Sequence, residues 1–208
     1  MEHTAQTATC SADKVKSMLQ RAVSLLTHSE KTWEEIKQES TSVGQLYKEW
    51  IVPFAAISPI MSLIKGTFIG YTVPVSGQVI TTPFMAGVVG ALVQYAIGLG
   101  LMYVAAVILS QLASKFGGSM DIVAGLKNVF FAALPSMVAS VLMIVPMGSL
   151  LYILVGLFCI YLFYLGSKKL SNVPAEKHLG FFVLSVIAIL AVNFLISLLL
   201  LPLFMVSA

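Results

Sequence analysis

Residues 179–206 read LGFFVLSVIAILAVNFLISLLLLPLFMV, twenty-eight consecutive positions without a charge. An α-helix rises about 1.5 Å per residue and the hydrocarbon core of a bilayer is about 30 Å thick, so roughly 20 apolar residues cross it. This stretch is a membrane helix by length alone. Working back from it, four more runs meet the same test: Trp50 to Tyr71, Phe84 to Leu112, Ile122 to Val145 and Leu150 to Leu165. The first is the most irregular, because Pro53 and Pro59 each remove a backbone donor and Lys65 adds a charge; a kinked, tilted or partly re-entrant helix fits it.

Composition agrees. The 208 residues are 58% hydrophobic and 10% charged, against about 25% charged in an ordinary soluble domain. The charges are also segregated: seven of the nine acids and six of the twelve bases precede Ile51. The net charge of +3 fits basic loops beside anionic lipid, and nucleic-acid binding is not expected from it. Cys10 lies in the polar tail and Cys159 in an apolar run, so no disulfide is expected between them. The first forty-nine residues hold no apolar stretch of the kind a cleaved signal needs, so insertion is expected to use the first membrane helix.

Turn chemistry separates the runs. Pro74, Gly77 and Pro83 follow the first; Gly117 and Gly118 precede Ser119, read as an N-cap; Pro146 and Gly148 make a tight link that predicts a close hairpin of the third and fourth helices; Ser171, Asn172 and Pro174 interrupt a basic loop. With five crossings, the N-terminal segment and the second and fourth connections share one side. That side collects Lys14, Lys16, Arg21, Lys31, Lys37, Lys48, Lys115, Lys127, Lys168, Lys169 and Lys177, leaving Lys65 for the other. Basic loops resist translocation, which predicts a cytoplasmic N-terminus and an external C-terminus.

Residues 1–49 form an amphipathic arm ahead of a membrane domain spanning 50–208. Val15, Met18, Leu19, Ala22, Val23, Leu25 and Leu26 recur at helical spacing, which suits a helix lying on the membrane surface. Thr32 and Glu35 are spaced as a capping box for a second helix, with Trp33 and Ile36 on one face. Lys14, Lys16, Arg21, Trp33 and Ile36 are therefore the candidate contacts with lipid or a protein partner. The competing reading is that the arm packs on its own bundle or is partly disordered.

Chemistry is sparse. His3, His28 and His178 are scattered, and Asp121 and Glu176 are the carboxylates after Glu49. No convergent nucleophile, metal-ligand set or phosphate-cradling loop is legible, so no catalytic residue, metal or cofactor is assigned. Gln94 and Asn193 are the polar residues deep in the spans and are expected to hydrogen-bond across helices. Pro135 interrupts the third span. Lys65 and Lys127, near span ends, are expected to snorkel to the interface rather than contact a substrate. Gly66 with Gly70, Ala86 with Gly90, Gly87 with Ala91 and Ser136 with Ser140 are small-residue pairs that suit packing within one bundle or self-association.

The run Thr32-Trp33-Glu34-Glu35-Ile36-Lys37-Gln38-Glu39, with Leu46-Tyr47, Ile51-Val52-Pro53-Phe54-Ala55-Ala56-Ile57 and Gly66, resembles the opening of bacterial Yip-domain proteins, relatives of the Rab-GTPase-interacting Yip family. Ala133-Leu134-Pro135, Pro146, Tyr161-Leu162-Phe163-Tyr164-Leu165-Gly166 and Pro174-Ala175-Glu176-Lys177 are similar to that family's second half, so the likeness covers about Thr32 to Leu190. It implies a five-helix membrane domain with a cytoplasmic N-terminus. Eukaryotic members are associated with Golgi and endoplasmic-reticulum trafficking and prenylated Rab proteins. Tyr47-Lys48-Glu49-Trp50 stands where many of those carry an acidic-Leu-x-Gly-Pro motif, which favours the bacterial branch over Rab binding.

The sequence thus predicts an all-α integral membrane protein with five transmembrane helices and a cytoplasmic amphipathic arm. The expected setting is a cell (inner) membrane, or the endoplasmic reticulum or Golgi if the source is eukaryotic. The expected role is a non-enzymatic scaffold or adaptor for lipid or a protein partner. The alternative is a small oligomeric transporter or channel, with helices broken at Pro53, Pro59 and Pro135 near Gln94 and Asn193.

Overall fold

A computed structural model of the chain describes residues 16–17, 20–72, 77–145 and 148–205. Its arm consists of α1, residues 20–27, and α2, Ser29–Gln38. Five long helices follow: α3, Val43–Ile69; α4, Phe84–Lys115; α5, Ile122–Ala139, continued as a 3₁₀ segment Ser140–Ile144; α6, Gly148–Leu170; and α7, Ala175–Met205. Each of the five is long and apolar enough to cross a membrane. A two-stranded hairpin, β1 (Tyr71–Thr72) against β2 (Val79–Ile80), joins α3 to α4.

Helix starts depart from the expected caps. Thr32 lies inside α2, with its hydroxyl donating to the carbonyl of His28. The capping box instead forms where α3 begins: Ser42 accepts from the Gln45 amide, and Gln45 accepts from the Ser42 amide. The helix that carries the first span therefore starts at Val43, two turns ahead of Trp50. At α5 the cap is Asp121, which accepts from the Ala124 amide at 2.7 Å, and not Ser119. Capping needs an extended residue one step before the first helical turn, and Asp121 occupies it.

α3 is helical across its prolines because it is segmented. π-Helical turns at Tyr47–Ile51 and Lys65–Ile69 flank two α segments, Val52–Ala55 and Ile57–Ile64. Pro53 and Pro59 each fall in the first turn of a segment, where a proline ring is best accommodated.

α5 is the centre of the bundle. Of its most apolar window 61% is buried, against 11% for α7 and 17% for α4. Lipid is as apolar as leucine, so close packing rather than expulsion from water selects the central helix. α5 supplies the shapes: Phe130 and Phe131 stack edge-on with each other at 5.1 Å and with Trp50 of α3 at 6.4 and 5.3 Å. Gly125 lets α4 approach, since a Cβ there would stand 2.7 Å from the carbonyl oxygen of Ala106. α5 and α6 form the expected close hairpin.

The ends of the bundle are distinct. The link between α4 and α5 is bonded to the link between α6 and α7, with the Ser119 amide donating to the Ser171 carbonyl at 2.9 Å and Asn172 Nδ2 reaching Ser119. The arm is tied to this same end through Lys127 and Lys169. Lys65, in the last turns of α3 with its ammonium 5.3 Å from the Tyr71 ring centre, and the hairpin that follows α3 lie at its other end.

Candidate functional site: the arm seated on the bundle

α2 lies along α6. Its inner face buries Thr32, Trp33 and Ile36, the last two completely, and α1 adds Ala22 and Leu25 to the same core. Every third or fourth residue turns inward, so the helical spacing seen in the sequence is satisfied by protein rather than by lipid. Trp33 and Ile36, expected on a lipid- or partner-facing surface, are inside the bundle in this arrangement. Val23 and Leu26 remain on the outside, 56% and 45% exposed, with Lys16, Lys31 and Lys37 also exposed. Lys14 lies outside the described residues.

Gly166 of α6 is what allows the seating. A Cβ at this position would collide with Asn128 Oδ1 and stand 2.6 Å from the outer atoms of the Trp33 ring. Three elements therefore converge at one point, α2 through Trp33, α5 through Asn128 and α6 through a bare Cα.

Charges hold the rim. Lys127 does not snorkel: it is 5% exposed, and its ammonium donates to the Ile36 carbonyl at 2.8 Å and to the Glu39 carbonyl. Those carbonyls end α2, where the helix has no amide left to offer and its dipole is negative, so a buried cation is matched by backbone rather than by a carboxylate. Lys169 of α6 donates to Glu34 at 2.6 Å, and this ammonium holds the Glu34 carboxyl below its ordinary range. Arg21 forks onto the Glu39 carboxylate and lies over Trp50 and Phe131 at 5.4 and 5.5 Å. Among the described residues, neither Trp33 Nε1 nor either polar atom of Asn128 has a partner.

Gln94 and Asn193 lie apart from this end and line one cavity of about 740 Å³ between α3, α4 and α7, with Thr67, Gly87 and Gly90. Asn193 Nδ2 donates to the Ile189 carbonyl of its own helix at 2.8 Å. Pro53, Pro59 and Pro135 do not line this cavity. Cys159 lines a smaller apolar one of about 310 Å³ with Ser136.

His178, in the first turn of α7, is buried against α6, its Nε2 3.1 Å from the Ser167 hydroxyl. That hydroxyl donates to the Tyr164 carbonyl. Its one proton is thereby used, so the imidazole Nε2 is the donor and Nδ1 is the bare nitrogen.

Sequence reasoning passes over Asn128, although an amide inside an apolar run is itself a signal, since polar groups in a span need protein around them, and Gly166 enters it only as the end of the run 161–166.

The model of the Yip1 domain matches residues 23–201 of this chain. The chain belongs to the Yip1 domain family. The match begins within α1, so α2 and the second half of α1 fall within the region shared with the Yip1 domain, while Arg21 and Ala22 precede it. No curated protein and no solved structure matches the chain significantly.

Proposed function

We propose that this Yip1 domain protein is a non-enzymatic scaffold or adaptor of a bacterial cell (inner) membrane, with its N-terminus cytoplasmic and its C-terminus outside. One observation carries the reading: the arm has two faces, one packed into the bundle and one presenting Val23 and Leu26 beside exposed Lys16, Lys31 and Lys37. Apolar side chains bordered by lysines suit an anionic membrane surface or an amphipathic partner. The orientation follows from the eleven bases assigned to the arm's side.

Deleting the whole arm would remove Trp33 and Ile36 from the core and unroof the faces of α5 and α6 beneath them, so a surface probe is the better test. A photocrosslinking residue at Leu26 in native membranes is expected to form adducts with lipid or with a second protein. Adducts confined to the chain itself would reject the reading. Self-association through the small residues of α4 is a further use of the same architecture, read out by crosslinks between copies.

A second reading, a small transporter, is favoured by the cavity that Gln94 and Asn193 share. Solute flux in proteoliposomes that is lost in Gln94→Leu or Asn193→Leu would select it.

A further inference from the structure

Asn128 is wholly buried where Trp33 meets Gly166, and among the described residues both its amide nitrogen and its oxygen lack a partner. Burying an amide without hydrogen bonds opposes the seating of whatever covers it. Its sequence neighbour Lys127 is satisfied by carbonyls of the arm, and Lys169, three residues beyond Gly166, by the carboxylate of Glu34. Asp121, the nearest carboxylate along α5, is engaged at the N-cap of that helix. The bundle thus contributes two bases and an unpaired side-chain amide, whose Oδ1 faces Gly166 and whose Nδ2 is a free donor among the described residues, and every acceptor the two bases use comes with the arm.

The geometry points to α2 as a removable latch over a phosphate-binding site. With α2 lifted, Lys127 Nζ, Asn128 Nδ2 and Lys169 Nζ present N–H donors that suit the oxygens of a phosphate group, either a lipid headgroup or a soluble phosphate ester. When α2 is seated, its C-terminal carbonyls and Glu34 occupy the place of that anion. They satisfy the two lysines and leave Asn128 unsatisfied, so a phosphate that reaches all three donors competes with the arm. This inference does not depend on the adaptor reading, which concerns the outer face of the arm.

The test is hydrogen exchange of the amides of residues 29–38 in the full chain, held in phosphatidylcholine nanodiscs. Exchange should rise about tenfold when part of the lipid is phosphatidic acid, or when inorganic phosphate is added. A response to phosphatidic acid alone assigns the site to lipid, and a response to both admits soluble phosphates. No response to either overturns the latch. Asn128→Leu removes the unpaired amide at similar volume, so exchange in phosphatidylcholine should slow about tenfold; unchanged or faster exchange would also overturn it.

Discussion

Lys127 donates its ammonium to the carbonyl of Ile36 at 2.8 Å, a bond between residues 91 positions apart that fastens the end of the arm to the central helix. The donor is buried and charged, and the acceptors are the carbonyls that close α2. The pairing answers two deficits at once, a cation without a carboxylate and a helix end without donors.

Lys127→Met keeps the apolar stem and removes the charge-assisted bonds, worth about 1.5 to 3 kcal/mol each when formed to an ionised group. Part of that is returned because a buried charge disappears. A net loosening of α2 by about 1.5 kcal/mol is expected, seen as roughly tenfold faster exchange of its amides while α5 itself stays protected. Exchange as slow as in the parent chain would show that apolar packing alone seats the arm.

Gly166→Ala tests the contact from the opposite wall. The added methyl would meet Trp33 and Asn128, and overpacking of this kind costs about 1 to 3 kcal/mol. In a Trp50→Phe background Trp33 is the single tryptophan, so its emission should move to the red and become open to quenchers. Trp33→Phe lacks the outer ring atoms that a methyl would strike and should recover part of the loss. An unshifted emission spectrum in Gly166→Ala would refute the close approach.

The five crossings were legible because the hydrophobic run length needed to cross lipid is fixed by bilayer thickness, and residues such as Leu179 to Leu198 satisfy it without reference to any neighbour. The seating of the arm was legible only as the competing reading. Helical periodicity shows that Trp33 and Ile36 share a face and is silent on whether lipid or protein covers it. Lys127 was misread for the same reason: position near a helix end suits snorkelling, and only the arrival of α2 from 91 residues away makes the buried geometry favourable. Gln94 and Asn193 were brought to one cavity, but Asn193 spends its amide on Ile189 of its own helix.

Glu34 supplies a pH test. Its carboxyl is held below 4.5 by the hydrogen bond and charge of Lys169. A folded-state value below the unfolded one means the contact contributes fully above the unfolded value and is lost as pH falls through the folded one. The pair is exposed and screened by salt, so the effect on global stability is small. In a carboxyl-carbon titration by NMR, the Glu34 midpoint should lie below 4.5 and return to the ordinary range in Lys169→Met or at high salt. A midpoint that ignores Lys169 would dissolve this contact.

The arrangement of the two ends predicts which loops share a compartment. Glu176 begins α7 beside the link that carries Asn172, which is bonded to Ser119 at the arm's end, whereas Ile80 is an exposed residue of the hairpin that follows α3. With Cys10 and Cys159 replaced by serine, Glu176→Cys and Ile80→Cys each carry a single thiol. An impermeant maleimide applied to intact cells should label Ile80→Cys at once and Glu176→Cys only after permeabilisation if the proposed orientation, which puts the eleven bases of the arm's side in the cytoplasm, is right. Labelling of both from outside would mean that one of the five spans fails to cross. The reverse pattern would keep the fold and invert it, placing Val23 and Leu26 beyond reach of any cytoplasmic partner.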